Sequence, residues 1–321
     1  MKCKENTMDL NVMMVGFSGT GKTSYMGAMY EIFNRRGYNG FRIRAIDNAH
    51  HKALSSIGRQ LSKGIYPDNT DIRDVYKFDL FYNDENILRF NWTDYRGGVL
   101  GERGNDELGQ VVSQIVKADA LIVFLDTPRF VSESVASVRL LARIQHLIQT
   151  AISHMKNDFL VVSFAMTKFD CIDDRDKLEE SSAWKRFNEL TRMLSENEKV
   201  VWLASATSVG SICWNVEYPF LRSMSMGLAL RMGQLAQKRN TAKRRADRYA
   251  SEGGVFDEIG TFFKKAFVNP NAKSKWDRAE EEFQKAKRLY EKLEKLQPPL
   301  ERIDEAITNA SESSDTDVWT F

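Results

Sequence analysis

The chain has 321 residues, of which 42% are hydrophobic and 28% charged, and its formal net charge is +2. This length allows one α/β domain with an accessory region or two small domains, and the composition predicts a packed core. The nearly balanced charge points to no particular class of partner. No run of about 18 apolar residues occurs, so we expect no transmembrane helix.

The cysteines indicate neither a disulfide framework nor a zinc site, because Cys3, Cys171 and Cys213 are scattered and lack CxxC spacing. The N-terminal stretch has no apolar core typical of a signal peptide. We therefore expect a reducing, cytoplasmic location.

The first motif in chain order is LNVMMVGFSGTGKTS, from Leu10 to Ser24, which contains GxxxxGK followed by threonine. An apolar run leads into the glycines, and a helix-compatible run, Ser24 to Arg36, follows them. Strand, glycine loop and helix is the context that a phosphate-binding loop requires. Glycines let successive N–H groups point at a phosphate, and the positive end of the helix dipole favours the same anion.

The predicted nucleotide-binding residues of this loop are Gly16, Ser18, Gly19, Thr20, Gly21, Lys22, Thr23 and Ser24. Lys22 would reach the β- and γ-phosphates and act in catalysis, and the Thr23 hydroxyl would ligate Mg²⁺. At this point ATP, GTP, kinase and transport functions all remain open, since the loop alone indicates only that a phosphate is held.

Further along the chain, strand and helix patterns alternate. The predicted strands are residues 41–47, 75–82, 87–93, 120–126, 159–166 and 199–204. The predicted helices are 48–63, which Gly64 would end, and 128–154, 177–197 and 215–237. Only four residues separate the second and third of these strands, so they should form an antiparallel hairpin. This order predicts a three-layer α/β fold around a mostly parallel sheet.

After Gln237 the composition changes, and we predict a domain over 1–237, a helical extension over 238–308 and a flexible acidic tail over 309–321. The basic run KRNTAKRRADR could contact nucleic acid or anionic lipid, but we favour a solvated helix face. Residues 275–297 carry an apolar seam at 3-4 spacing, which indicates a short coiled coil or helical hairpin. Pro298 and Pro299 are expected to end that helix.

Several polar segments stand at strand ends, where open α/β sheets bind ligands. Thr70 precedes the hairpin and could offer its hydroxyl to Mg²⁺ and the γ-phosphate. Asp94, with Gly97 three residues later, could hold Mg²⁺ through water and place a backbone N–H near the γ-phosphate.

Two segments further on could form a base pocket. In Thr167-Lys168-Phe169-Asp170, the Asp170 carboxylate can accept two hydrogen bonds from guanine that adenine does not offer, while the Lys168 stem would lie along the base. The backbone of Ser205, Ala206 and Thr207 would complete the pocket.

These pieces, in this order, resemble the GTPases of the translation-factor and Ras-like branch of the P-loop proteins. The resemblance covers about residues 10–237 and implies a Ras-like P-loop GTPase domain with one antiparallel strand, GTP and GDP with Mg²⁺ as ligands, and switch loops around Thr70 and Asp94. The segments Gly64–Thr70 and Trp92–Gly98 are also similar to those of bacterial double-GTPase proteins from defence and conflict systems.

Two positions depart from the family pattern. Thr167 stands where asparagine is commoner, and Gly98 stands where Ras-like enzymes carry the glutamine that orients the attacking water. We therefore expect slow intrinsic hydrolysis, unless Arg96, Glu102 or Arg103, or a residue of a partner, supplies the missing group.

The favoured hypothesis is a GTPase that acts as a slow molecular switch, with protein partners at its switch loops and C-terminal helices. The alternative is an assembly or interaction module that nucleotide stabilises without much turnover. Membrane remodelling and ATP hydrolysis are weaker alternatives.

Overall fold

The computed structural model of this protein describes residues 9–68, 74–94, 105–132, 135–155, 159–172, 175–252 and 270–313. Within these residues the chain forms two compact units. One is drawn from Met1–Leu228 together with Leu300–Phe321, and the other from Ala229–Pro299. The expectations for Thr70, Arg96, Gly97 and Gly98 fall outside the described residues.

Seven strands form one sheet in the order β2-β3-β4-β1-β5-β6-β7. They are β1 Asp9–Val15, β2 Phe41–Ala45, β3 Asp74–Tyr82, β4 Glu85–Asp94, β5 Ala120–Asp126, β6 Leu160–Thr167 and β7 Val200–Ala206. Among the described strands only β3 runs against the others, because it pairs antiparallel with both β2 and β4 while the other pairings are parallel. The predicted mostly parallel sheet with one antiparallel strand, and the predicted hairpin, are confirmed.

Helices cover both faces of the sheet. They are α1 Lys22–Glu31, continued by a π-helical turn Ile32–Arg36, α2 Asn48–Leu61, α3 Asn105–Ile115, α4 Thr127–Val131, α5 Val135–His154, α6 Arg175–Glu180, α7 Ser182–Ser195, α8 Glu217–Glu252 and α9 Pro270–Ser313. On one face, Ile144 of α5 and Phe187 of α7 belong to a large buried cluster. On the other, Trp92 of β4 stacks on Phe220 of α8 with ring centroids 5.4 Å apart. The fold is therefore the predicted three-layer α/β arrangement.

The continuous apolar runs behave as central parallel strands should, since every residue of β5 and β6 is buried. Helix boundaries differ from the sequence prediction in several places. The helix predicted over 128–154 corresponds to two helices, α4 and α5, and the helix predicted over 215–237 continues to Glu252 as α8. A third difference has a local reason. Residues 177–197 were predicted as one helix, but the Ser181 hydroxyl accepts a hydrogen bond from the Trp184 N–H at 3.1 Å and so begins a second helix, α7.

The prediction that Pro298 and Pro299 end the last helix is wrong, because α9 runs through both prolines to Ser313. A proline inside a helix removes one backbone hydrogen bond and crowds the preceding turn. Packing beyond the prolines offsets that cost. Ile303 is fully buried, and the Ser225 hydroxyl of α8 donates a hydrogen bond to the Asp304 carboxylate.

The unit Ala229–Pro299 contains parts of α8 and α9. Within it, the Arg239 guanidinium lies 5.8 Å from the centre of the Tyr290 ring. Of the predicted seam, Ala286 is buried, whereas Phe283 and Tyr290 are 55% and 47% exposed. No helix among the described residues is long and apolar enough to cross a bilayer.

Candidate functional site

The glycine loop lies between the end of β1 at Val15 and the start of α1 at Lys22, as the motif predicts. Gly16 has no room for a side chain, because a Cβ there would lie 2.9 Å from the Phe124 carbonyl oxygen. Gly21 has a φ of +87°, a left-handed conformation that favours glycine, immediately before the helix. The loop therefore turns sharply and brings the positive N-terminal end of α1 to the edge of the sheet.

Lys22 lies inside this loop with only 7% of its surface exposed. Its ammonium donates hydrogen bonds to the carbonyl oxygens of Gly16 at 2.8 Å and Phe17 at 3.0 Å. Burial lowers the pKa of Lys22, and the negative charge of Asp94 opposes that shift. The geometry holds one positive charge at the centre of the loop.

Asp94 is the last residue of β4 and pairs in register with Met14 of β1, so its carboxyl stands beside the start of the glycine loop. It is 4% exposed. Burial raises the pKa of Asp94 to about 6; the charge of Lys22 opposes this shift and that of Asp74 adds to it. Its Oδ1 atom is buried and has no hydrogen-bond partner among the residues that the structure describes.

A buried carboxylate oxygen of this kind is suited to a bound cation such as Mg²⁺. Proteins usually bind Mg²⁺ with one or two side chains, together with phosphate oxygens and water. Asp94 and Thr23, the second residue of α1, match that donor set. No group of three or more His, Cys, Asp or Glu side chains that could hold a metal by itself occurs within the described ranges.

The segment Thr167–Asp170 follows the end of β6, two strands from β1 in the sheet. The Thr167 hydroxyl donates to the Thr20 carbonyl oxygen at 2.8 Å, and the Leu125 carbonyl oxygen is a second acceptor within reach at 3.0 Å. A threonine in place of the commoner asparagine thus ties this segment to the glycine loop.

Lys168 extends from the same segment back over the glycine loop. Its ammonium donates to the Gly19 carbonyl oxygen at 2.9 Å and pairs with the Asp126 carboxylate at 2.7 Å. Asp126 ends β5, is 3% exposed, and also lies 3.5 Å from the Arg129 guanidinium. Sequence reasoning missed Asp126, although its place at the end of a buried strand was a usable signal.

Asp170 is exposed, and its backbone N–H donates to the Ser208 hydroxyl at 2.9 Å. Ser205 and Ala206 are fully buried at the end of β7. Thr207 is also buried, and its N–H donates to the Met166 carbonyl oxygen at 2.9 Å. None of these three residues lines the cavity described next, but Val209, two residues after Thr207, does.

One cavity of about 430 Å³ brings the two halves of the predicted site together. The predicted residues that line it are Ser18, Gly19, Gly21, Lys22, Thr23, Ser24, Thr167, Lys168 and Asp170. Gly16, Thr20, Asp94 and Ser205–Thr207 are not among the residues that line it. A cavity of this size is within the usual range for small-molecule sites.

The cavity is also lined by Cys171 and Val209, which were not predicted. Tyr66, Pro67 and Asp68 line it too; they lie in the predicted switch-like segment Gly64–Thr70 but were not predicted as binding residues. The chain reaches Tyr66 because Gly64, with φ +74°, ends α2 as predicted. The Ile65 N–H donates to the Gln60 carbonyl oxygen at 3.0 Å, the pattern of a Schellman turn. The Tyr66 hydroxyl then donates to the Val209 carbonyl oxygen at 3.4 Å.

No protein-family model and no curated protein sequence matches this chain. Among solved structures, it is similar to the signal recognition particle receptor SRb-GTP/SRX complex from Chaetomium thermophilum, with 14% identity, a TM-score of 0.40, and coverage of 62% of this chain and 91% of that chain. The Arl6 BBS3 small GTPase from Trypanosoma brucei, with a bound nucleotide analogue, shows 13% identity and a TM-score of 0.40 over 70% of this chain and 99% of that chain. A GDP-bound NFeoB mutant from S. thermophilus shows 13% identity and a TM-score of 0.34 over 94% of this chain and 99% of that chain. These likenesses are distant, so the functional argument rests on the geometry of the cavity.

Proposed function

We propose that this chain binds GTP and hydrolyses it to GDP and phosphate with Mg²⁺, as a slow molecular switch whose turnover depends on a partner protein. The observation that supports this most strongly is that one cavity is lined both by the glycine loop and by Thr167, Lys168 and Asp170. The loop is suited to phosphates and the second segment to a guanine base. A nucleotide has both parts.

At the phosphate end, Lys22 and the backbone N–H groups of the glycine loop would bind the β- and γ-phosphates. Thr23 and Asp94 would hold Mg²⁺, which when bound neutralises phosphate charge. This assignment is supported by the Oδ1 atom of Asp94, which has no hydrogen-bond partner within the described part of the chain, and by the buried ammonium of Lys22. Lys22 would exchange its contacts with two loop carbonyls for contacts with phosphate oxygens.

At the base end, the Asp170 carboxylate would accept hydrogen bonds from the guanine ring N–H and amino group. An adenine there would leave the carboxylate without partners, so the site should prefer GTP. Lys168, fixed by Asp126 and the Gly19 carbonyl, would place its aliphatic stem along the base. The segment around Ser205–Thr207 would support this wall from behind.

In the switching part of the proposal, Thr70 and the Gly97 N–H would contact the γ-phosphate. Arg96 would supply a positive charge from within the same chain. Gly98 cannot orient a water, so turnover should be slow until a partner supplies the missing group. We further propose a role in a bacterial multi-component defence system, on the basis of the two switch-like segments alone. The partner would bind at the switch loops and the C-terminal helices.

The binding claim is tested by titrating fluorescently labelled GDP into purified protein. Lys22→Ala should weaken binding by about 100-fold or more, since hydrogen bonds from a charged group are worth about 1.5–3 kcal/mol each. Lys52→Ala, at an exposed position of α2, is the matched control and should bind as the unchanged protein does. No saturable binding by the unchanged protein would refute the proposal.

The turnover claim requires a separate measurement of phosphate release from GTP, alone and with co-purifying proteins. The proposal predicts slow release that a partner accelerates and that Lys22→Ala removes. Release that neither a partner nor Lys22→Ala alters would instead favour the alternative of an assembly module.

A further inference from the structure

A second cavity, of about 500 Å³, lies in the same compact unit, and none of the described residues that line it also lines the first cavity. Its walls come from the π-helical turn after α1, the end of α2 and the segment between β7 and α8. Ala28 and Leu61 form a buried apolar part of the wall. π-Helical turns are rare and occur frequently at functional sites, which makes this cavity a candidate site.

Glu217, the first residue of α8, contributes a carboxylate to this wall. Burial raises its pKa, and hydrogen bonds from the backbone N–H groups of Glu217 and Val216 oppose that shift; it forms no ion pair with any residue that the structure describes. Burial and the charge of Glu217 raise the pKa of Tyr38, on the same wall, to about 12. Cys213 is exposed to solvent, but partial burial of its thiol raises its pKa. A hydrogen bond to the Gly210 carbonyl and the charge of Arg36 oppose that shift, and the charge of Glu217 adds to it.

A partly buried carboxylate without a cationic partner is stabilised by a positive charge brought within about 4–6 Å. The apolar wall beside it would accept a short aliphatic chain. Arg36 lines the same cavity but is exposed to solvent, so it remains hydrated rather than neutralising Glu217. We propose that the second cavity binds a ligand through a protonated amine or guanidinium group held by Glu217.

The segment between β7 and α8 connects this cavity to the first one. Val209 lines the first cavity, whereas Gly210 and Cys213 line the second. The Tyr66 hydroxyl bonds to Val209 and would lie 3.0 Å from a Cβ at Gly210, so it touches the same segment. A ligand in the second cavity should therefore alter the release of GDP from the first, a coupling that rests on the proposed function.

The site is tested with agmatine, a small molecule that carries an amine and a guanidinium group. Neutral iodoacetamide is used to alkylate Cys213, and the extent at this residue is read by peptide mass spectrometry. With the cavity about nine-tenths occupied, alkylation should slow about tenfold, because only the empty fraction reacts. Glutarate, a dicarboxylate of similar length, should give no protection.

Glu217→Gln should abolish protection by agmatine, whereas Arg36→Gln, in the same cavity, should retain it. Rates are compared with and without agmatine within each variant, since Glu217 itself affects the thiol. If Glu217→Gln fails to fold, Ser62→Trp, at an exposed position lining the cavity, replaces it and should block agmatine sterically.

No protection of the unchanged protein by agmatine, or equal protection in Glu217→Gln, would overturn the proposed site whether or not GDP binds. A second arm uses a short peptide containing arginine. Stronger protection by agmatine than by the peptide at equal concentration would assign the cation to a free small molecule, and the reverse order would assign it to a protein side chain. Protection by agmatine together with an unchanged rate of GDP release would refute the coupling between the two cavities but would still support the binding site.

Discussion

Thr167→Val tests whether the Thr167 hydroxyl couples the segment Thr167–Asp170 to the glycine loop. Valine keeps the shape of threonine but removes the hydroxyl that lies 2.8 Å from the Thr20 carbonyl oxygen and 3.0 Å from that of Leu125. Thr167 is only 4% exposed, so water cannot easily replace the lost donor. A buried polar group left without its partner costs about 1–3 kcal/mol.

For a domain of this size each kcal/mol lowers the melting temperature by about 2–4 °C, so Thr167→Val should lower it by about 2–12 °C. The assay is thermal unfolding with and without GDP, followed by measurement of GDP affinity. Thr191→Val is the matched control, because Thr191 is also buried and donates to the Asn188 carbonyl oxygen within α7, away from the cavity.

We expect Thr167→Val to be the more destabilising of the two and to be alone in weakening GDP binding. Its hydroxyl connects two separate segments of the site, whereas that of Thr191 bonds within its own helix. Equal losses of stability in the two variants, with unchanged GDP affinity in both, would refute the reasoning.

Two further predictions concern Asp94 and the end of α9. The pKa of Asp94 is about 6 in the folded protein, above the ordinary value of about 3.9. Between these two pH values the folded state binds a proton that the unfolded state has lost. The contribution of Asp94 to the free energy of unfolding therefore falls as the pH rises from about 4 to about 6. Asp94→Asn should remove that slope in denaturant unfolding between about pH 4 and pH 6, and the exposed control Asp84→Asn should keep it; an unchanged slope in Asp94→Asn would contradict the assignment. Ile303→Ala should lower the free energy of unfolding by about 2–5 kcal/mol, because Ile303 is fully buried. The control Arg302→Ala should lower it by about 1 kcal/mol or less, because the partner in its 3.2 Å ion pair, Glu85, is exposed to solvent. Equal costs in urea unfolding would show that packing after the prolines does not hold α9.

Much of the fold follows from local patterns that can be read without the structure. The apolar runs of β5 and β6 predicted central strands because parallel strands are covered on both faces. The four-residue connection between two strand patterns predicted the hairpin, and the spacing of Gly16, Gly21 and Lys22 predicted the strand, glycine loop and helix.

The features that escaped prediction depend on contacts between distant parts of the chain. Asp126 matters because Lys168, 42 residues later, folds back onto it. Tyr66 and Val209 meet only because the Schellman turn after α2 directs the chain toward the loop after β7. The prolines in α9 were misjudged because their local preference is outweighed by the burial of Ile303.

The central claim, that one cavity holds a guanine nucleotide, is tested most directly by the base preference of Asp170→Asn. Nucleotide affinities are measured by calorimetry for GDP, ADP and xanthosine diphosphate, with Asp84→Asn as the control. The account predicts that the unchanged protein binds GDP in preference to ADP and that Asp170→Asn prefers xanthosine diphosphate to GDP. Tight binding of ADP by the unchanged protein, or a preference for GDP that Asp170→Asn leaves intact, would contradict it.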